Sequence, residues 1–342
     1  MSPIQDRIIS INAEASTQYV ADESARQRYW AKHTTFFACI KCMDGRVLFP
    51  SMTKTPIGIV KPFRAIGGKF SIWWPSFLGR VRHWIEKAVS LGSRSFVFVT
   101  YHYSASDSHL GCAGWKYDTA TARKHAEQLQ QDLSYVFGEQ LTAVVAGVET
   151  DRDILILHGP NGDVSGETCQ GKTVEEVREL VRSAFPSMNP HVIEDVIPFM
   201  RGNAERVQEL TTQPRELLEK GHNERVIALG QGFDWLAKEN LALIINDADP
   251  NLANSVSVAA SLIEKNLAQA PVGDDATIFT CIPYQEPGVD YRQSVARAKG
   301  LRVFVEDVIR RDYPTLAASG RLHAMSAVMW EPNKKIEVIE RD

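Results

Sequence analysis

Thr34-Thr35-Phe36-Phe37-Ala38-Cys39-Ile40-Lys41-Cys42-Met43-Asp44-Gly45-Arg46 is the stretch on which the reading of this chain turns. Residues 34 to 40 are β-branched, aromatic or apolar in unbroken succession, as a strand covered on both faces of a parallel sheet should be. The run from Cys42 to Arg46 then falls at the carboxyl end of that strand, where open α/β sheets place their ligands. The pattern continues outward. Pro62 to Gly68 (PFRAIGG) reads as a strand end turning through two glycines, and residues 76 to 91 as an amphipathic helix. Ser95 to Tyr101 (SFVFVTY) is a second buried strand, followed by a loop with His102, His109 and Cys112 and a long helix over 118 to 136. A third strand starts at Ala143, turns at Glu149 to Asp153 and returns as Ile154 to Leu157. Ahead of all this, residues 12 to 31 form a polar, helix-compatible arm. The fold class expected is α/β, a mostly parallel sheet flanked by helices.

Three residues in this frame have the chemistry of a metal centre. Cys42 and Cys112 supply two thiolates, and one histidine completes a three-ligand set with a fourth position left open. His102, at the end of the second strand, and His109, in the literal spacing His109-Leu110-Gly111-Cys112, are the two candidates for that histidine. Zinc suits such a set and lowers the pKa of a bound water to about 7. Two thiolates weaken the ion as a Lewis acid, so a neighbouring carboxylate gains importance. Asp44, held ionised by a bidentate bond from Arg46, is expected to accept the hydrogen bond of the zinc hydroxide and orient it. Tyr101, Tyr103, Asp107 and His109 are candidates for a proton route. The glycine pair Gly67-Gly68 and the turn Cys112-Ala113-Gly114 are expected to bring backbone N–H groups close to the site. Cys39 lies an odd offset from Cys42 along a strand and belongs to the core instead. The other histidines, His222 among them, read as isolated surface or core residues.

Composition narrows the partners. The 342 residues are 44% hydrophobic and 23% charged, enough for two ordinary cores, and the net charge of −4 without a long basic tract argues against nucleic acid. No apolar run reaches the roughly 20 residues of a membrane span. The amino terminus lacks the pattern of a secretory signal, so a cytoplasmic location is expected. Five scattered cysteines do not make a disulfide framework.

Beyond a polar linker at 160 to 171 and helices near 173 to 185 and 202 to 220, the first pattern starts again. Arg225 to Asp234 lies on Thr35 to Asp44, which sets Gly232 opposite Cys42, Asp234 opposite Asp44 and Leu236 opposite Arg46. Ala276 to Tyr284 lies on Ser95 to Tyr103, with Pro283 facing His102; a helix over 291 to 310 follows, and 324 to 339 repeats the strand, turn and strand of 143 to 157. The expected organisation is a helical arm over 1–30, a zinc-binding domain over 31–160, a polar linker with helices over 161–221, and a degenerate second copy without metal ligands over 222–342.

Cys42-x-Asp44-x-Arg46, Arg64-Ala65-Ile66-Gly67-Gly68 and the later His and Cys resemble the β-class carbonic anhydrases. The roughly ten-residue separation of His102 from Cys112 is similar to the divergent carboxysomal shell branch of that family, whose members carry an active and a degenerate copy in one chain. The resemblance implies a zinc enzyme that interconverts CO2 and bicarbonate through zinc-bound hydroxide oriented by the Asp44–Arg46 dyad, and an assembly as a homodimer or higher homo-oligomer. It also implies a closed form in which Asp44 takes the fourth zinc position. The resemblance leaves a carboxysome address possible beside the cytoplasm, although the long docking extension of that branch is missing here. Two other readings stay open on the same residues: a zinc hydrolase of CS2 or COS, and a non-catalytic zinc scaffold or bicarbonate-responsive protein.

Overall fold

The stretch that opens the sequence becomes strand β1, Thr35–Cys42, in the computed structural model, which describes residues 2–213, 222–233, 235–236, 240–271 and 273–342. Strands β2 (Val60–Ala65), β3 (Arg94–Tyr103), β4 (Leu141–Glu149), β5 (Ile154–Gly159) and β6 (Gly162–Ser165) join it in a sheet of order β2-β1-β3-β4-β5-β6. The first four are parallel, and β5 and β6 run antiparallel. Both faces are covered, which is why β1 and β3 carry no polar alternation. One face packs on helices α4 (Pro75–Ser90) and α5 (Thr119–Phe137), burying Ala38, Ile40, Val97 and Val99 against Phe77, Trp84, Leu129 and Leu133. Phe37, Cys39, Phe96 and Phe98 enter the other core with Phe199 and Met200, so Cys39 is a core residue as expected.

That second core is closed by helices α6 (Val174–Ala184) and α7 (Pro190–Thr212). The expected helix at 173 to 185 is α6, opened by a reciprocal capping box of Thr173 and Glu176. The helix expected to begin at 202 begins twelve residues earlier, at Pro190, and takes Pro198 in its interior. Proline lacks the N–H an inner turn needs and therefore reads as a break, which conceals the continuity. Residues beyond 213 in that expected helix, and Asp234, lie outside the described residues. The stretch 160 to 171 is a hairpin strand and turn instead of an open linker: β6 pairs with β5, and Cys169 is buried. Burial raises the Cys169 thiol to about 11, so it stays protonated at neutral pH.

A second sheet has the order β11-β10-β9-β7-β8, from β7 (Val226–Gly230), β8 (Ala242–Asn246), β9 (Ala276–Tyr284), β10 (Leu322–Trp330) and β11 (Lys335–Arg341). Strands β8, β7, β9 and β10 are parallel and β11 is antiparallel, the same succession as β2-β1-β3-β4-β5. Helices α8 (Leu252–Gln269) and α9 (Tyr291–Asp312) accompany it, as does α1 (Pro3–Ala21), whose Gln5, Asn12 and Ser16 bond the backbone of residues 324, 334 and 333. Register refines the expected match. Ser95 pairs with Leu141 and Ala276 with Leu322, which keeps Pro283 at the place of His102. Phe37, however, pairs with Phe96 whereas Val226 pairs with Thr277, so Val226 stands where Phe37 does and Gln231, not Gly232, falls at the place of Cys42. Runs apolar on both faces carry no parity signal, and a one-residue slip is invisible in them.

The chain divides into two compact units, and neither follows the expected domain boundaries. One comprises residues 1–23, 43–46 and 221–342, the other residues 24–42 and 47–220. No helix among the described residues is long and apolar enough to cross a membrane.

Candidate metal centre

Two parallel neighbours, β1 and β3, end close together, and their last residues bring Cys42 and His102 to the same rim. The chain after β3 passes through a short turn at Ser108–Leu110 and returns Cys112 to that rim, where it precedes a second turn, Ala113–Trp115. All three side chains are buried, with ligand atoms within 4.8 Å of one another. The sulfurs of Cys42 and Cys112 stand 3.8 Å apart. That is far beyond a disulfide bond of about 2.05 Å. It matches two sulfurs each about 2.3 Å from one tetrahedral zinc, which geometry places about 3.8 Å apart. The donor set thus fits the metal that its chemistry favours.

The alternatives separate by burial. His102 is 2% exposed and within the trio, whereas the His109 side chain is 81% exposed and its Nδ1 meets Asp107 at 3.3 Å. Strand β3 extends two residues further than expected, to Tyr103, so His102 sits inside the ordered strand. Of the proposed proton-route residues, Tyr101 bonds His158 Nε2 at 2.8 Å, and burial raises its phenol to about 12. Asp107 and His109 form an exposed pair.

The glycine turn meets the expectation placed on it. Gly67 N–H donates to Cys42 Sγ at 3.3 Å. Gly67 has φ +61°, and a Cβ there would meet the Trp115 indole nitrogen at 2.6 Å, so both backbone angle and space require glycine.

In the other unit, Asp44 and Arg46 form the expected fork. Arg46 donates from its backbone N (2.9 Å) and Nε (3.0 Å) to Asp44 Oδ1 and from Nη2 (2.6 Å) to Oδ2, with both residues buried. The segment is tied down by Ile244 N–H donating to Met43 O at 2.9 Å. Gly45 leaves no room for a side chain, since a Cβ would stand 2.9 Å from Ala242 O.

Two residues that sequence reasoning passed over extend the fork. His222 Nε2 lies 3.4 Å from Arg46 Nη2, and its Nδ1 lies 3.3 Å from both oxygens of the fully buried Glu224. Burial works against a charged His222, but the Glu224 and Asp44 carboxylates outweigh it and raise its pKa above the ordinary histidine value. Asp44, His222 and Glu224 are close enough to share a cation, yet the Arg46 guanidinium already engages both Asp44 oxygens. A charged hydrogen-bond network is the better description. No spacing rule could have found His222, which lies 176 residues from Arg46 in sequence.

Two thiols and an imidazole gathered at the carboxyl rim of a mostly parallel sheet, in a chain that also carries a carboxylate fork, make a candidate metal centre in a protein of the α/β class. A family model described as "Carboxysome Shell Carbonic Anhydrase, catalytic domain" matches residues 38–210, just over half of the chain, and the chain belongs to that family. Among similar proteins is the carboxysome shell carbonic anhydrase of Prochlorococcus marinus (strain MIT 9313), 23% identical over 233 residues, covering 58% of this chain and 45% of that protein. The protein of the same name from Hydrogenovibrio crunogenus is 23% identical over 265 residues, covering 68% of this chain and 49% of its own length. That of Halothiobacillus neapolitanus is 24% identical over 248 residues, covering 59% and 48%. The chain spans about half the length of these relatives. Family and fold agree with the divergent carboxysomal branch that the motifs resemble.

Proposed function

We propose that this chain is a zinc-dependent carbonic anhydrase interconverting CO2 and bicarbonate, with Cys42, His102 and Cys112 as the ligands that would hold the ion. The observation that carries the reading is the 3.8 Å approach of the Cys42 and Cys112 sulfurs beside His102 in a member of this family. A zinc ion held there supplies a Lewis acid that ionises a water near neutral pH. The remaining work falls to the chain. Burial of the trio excludes bulk water from the reacting atoms. Asp44 receives three N–H bonds from Arg46, so its carboxylate stays ionised and oriented. An ionised carboxylate has about four acceptor positions, and through one of them Asp44 would accept the O–H of the attacking oxygen. That bond would turn the oxygen lone pair toward the carbon of CO2.

We further infer that the second sheet is a degenerate copy of the first. The support is the shared strand order, with Gln231 and Pro283 at the places of Cys42 and His102.

Stopped-flow CO2 hydration with a pH indicator tests the activity. Zinc-loaded protein should hydrate CO2 well above the buffer rate, and Asp44→Asn should keep its zinc while losing about 10²-fold or more in kcat, the usual scale for a positioned proton acceptor. Protein with one zinc per chain that is no faster than buffer overturns the reading.

A further inference from the structure

The turn that hydrogen-bonds Cys42 is itself clamped by side chains that the proposed chemistry does not use. Gly67 N–H reaches the Cys42 sulfur at 3.3 Å while Gly67 O accepts from Trp115 Nε1 at 2.8 Å, so one glycine is pinned at both ends. The Trp115 ring is held in turn. Lys69 Nζ lies 4.2 Å from its centroid and donates to Gly114 O, and the His125 ring packs on it at 5.0 Å. His125 is carried by helix α5, so the ring that packs on Trp115 comes from an ordered element. Space is used up on both sides: a Cβ at Gly114 would meet Gly67 N at 2.8 Å. Trp115 is therefore wedged between the turn and the helix, with its indole N–H spent on Gly67.

Hydrogen bonds to a ligand sulfur withdraw charge from it and leave its metal more electron-poor. Gly67 can make that bond only while the turn keeps its left-handed conformation, φ +61° at Gly67 and +64° at Gly68. We propose that Trp115, braced by Lys69 and His125, is a positioning residue that aims the Gly67 N–H at Cys42 and so sets how strongly this thiolate donates to the metal. The inference rests on the proposed metal reading of Cys42, His102 and Cys112.

Cobalt(II) substituted for zinc tests it through the thiolate-to-metal charge-transfer band, which reports sulfur donation directly and which a purely structural role would not move. Trp115→Phe keeps the ring and the cation contact but removes the N–H. The band should shift to longer wavelength, as for a more electron-rich sulfur, and zinc should be held about tenfold less tightly in competition with a chelator. Trp73→Phe, at an exposed tryptophan of the same unit, should match the wild type. Lys69→Met, which leaves the N–H in place, should move the band the same way by less, and it decides the matter if Trp115→Phe does not fold. Unchanged bands in Trp115→Phe, or in Lys69→Met where it stands alone, overturn the positioning role. Absence of any charge-transfer band in the wild type overturns it too, and locates the failure in the metal reading instead.

Discussion

Cys42 and Cys112 were legible because their chemistry is local: a thiolate at a strand end needs only the strand pattern and a short motif to be noticed. His102 needed more, since two histidines compete for one place and only burial separates them. His222 and Glu224 were out of reach, brought to Arg46 by the fold of the second sheet's unit with no pattern linking them. Their network has a pH signature. The pKa of His222 is raised in the folded chain above about 6.5, its unfolded value. It therefore contributes stability that is fully present below about pH 6.5 and is lost as pH rises through the raised value. The difference in thermal midpoint between wild type and His222→Gln should accordingly be larger at pH 6 than at pH 9. An equal difference at both would remove the charged network from the account.

Elements were read best where period and punctuation agree. Helix α6 shows both, an amphipathic stripe and a capping box, and its bounds fall within a residue or so of those expected. Helix α7 is punctuated at its start, with Asn189 capping and Pro190 in the first turn, but Pro198 in its interior looks like a break, although the helix closes the core behind β1. The expected linker failed for a related reason: small polar residues suit a hairpin as well as an open loop. What fixes α7 is one buried side chain. Asn203 Oδ1 accepts from Leu155 N at 2.8 Å, and its Nδ2 donates to Met52 O at 2.9 Å and Asp153 O at 2.6 Å, joining α7 to α3 (Phe49–Thr53) and β5. Asn203→Ala leaves these buried backbone groups unpaired, at about 1–3 kcal/mol for each group that water cannot reach. A loss near 3 kcal/mol in urea unfolding is expected; a change below about 1 kcal/mol would mean that the helix is held by packing alone.

At the scale of the molecule, the α/β class and the recurrence of the pattern could be read from hydropathy, but the way the chain is shared between units could not. Residues 1–23 and 43–46 group with the carboxyl-terminal half, so no single cut separates the two units. A fragment of residues 1–165 would strip α6 and α7 from the core that holds Phe37, Phe96 and Phe98, and would leave α1 without residues 324 and 334, whose backbone Gln5 and Asn12 bond. Such exposed apolar surface drives aggregation. The fragment should be insoluble, and a soluble fragment with cooperative unfolding would contradict the division. Whether Cys42, His102 and Cys112 hold one metal ion is read from the zinc content per chain of His102→Ala and His109→Ala. His102→Ala is expected to lose the zinc while His109→Ala keeps one ion per chain; full zinc in His102→Ala, or its loss only in His109→Ala, would remove His102 from the ligand set.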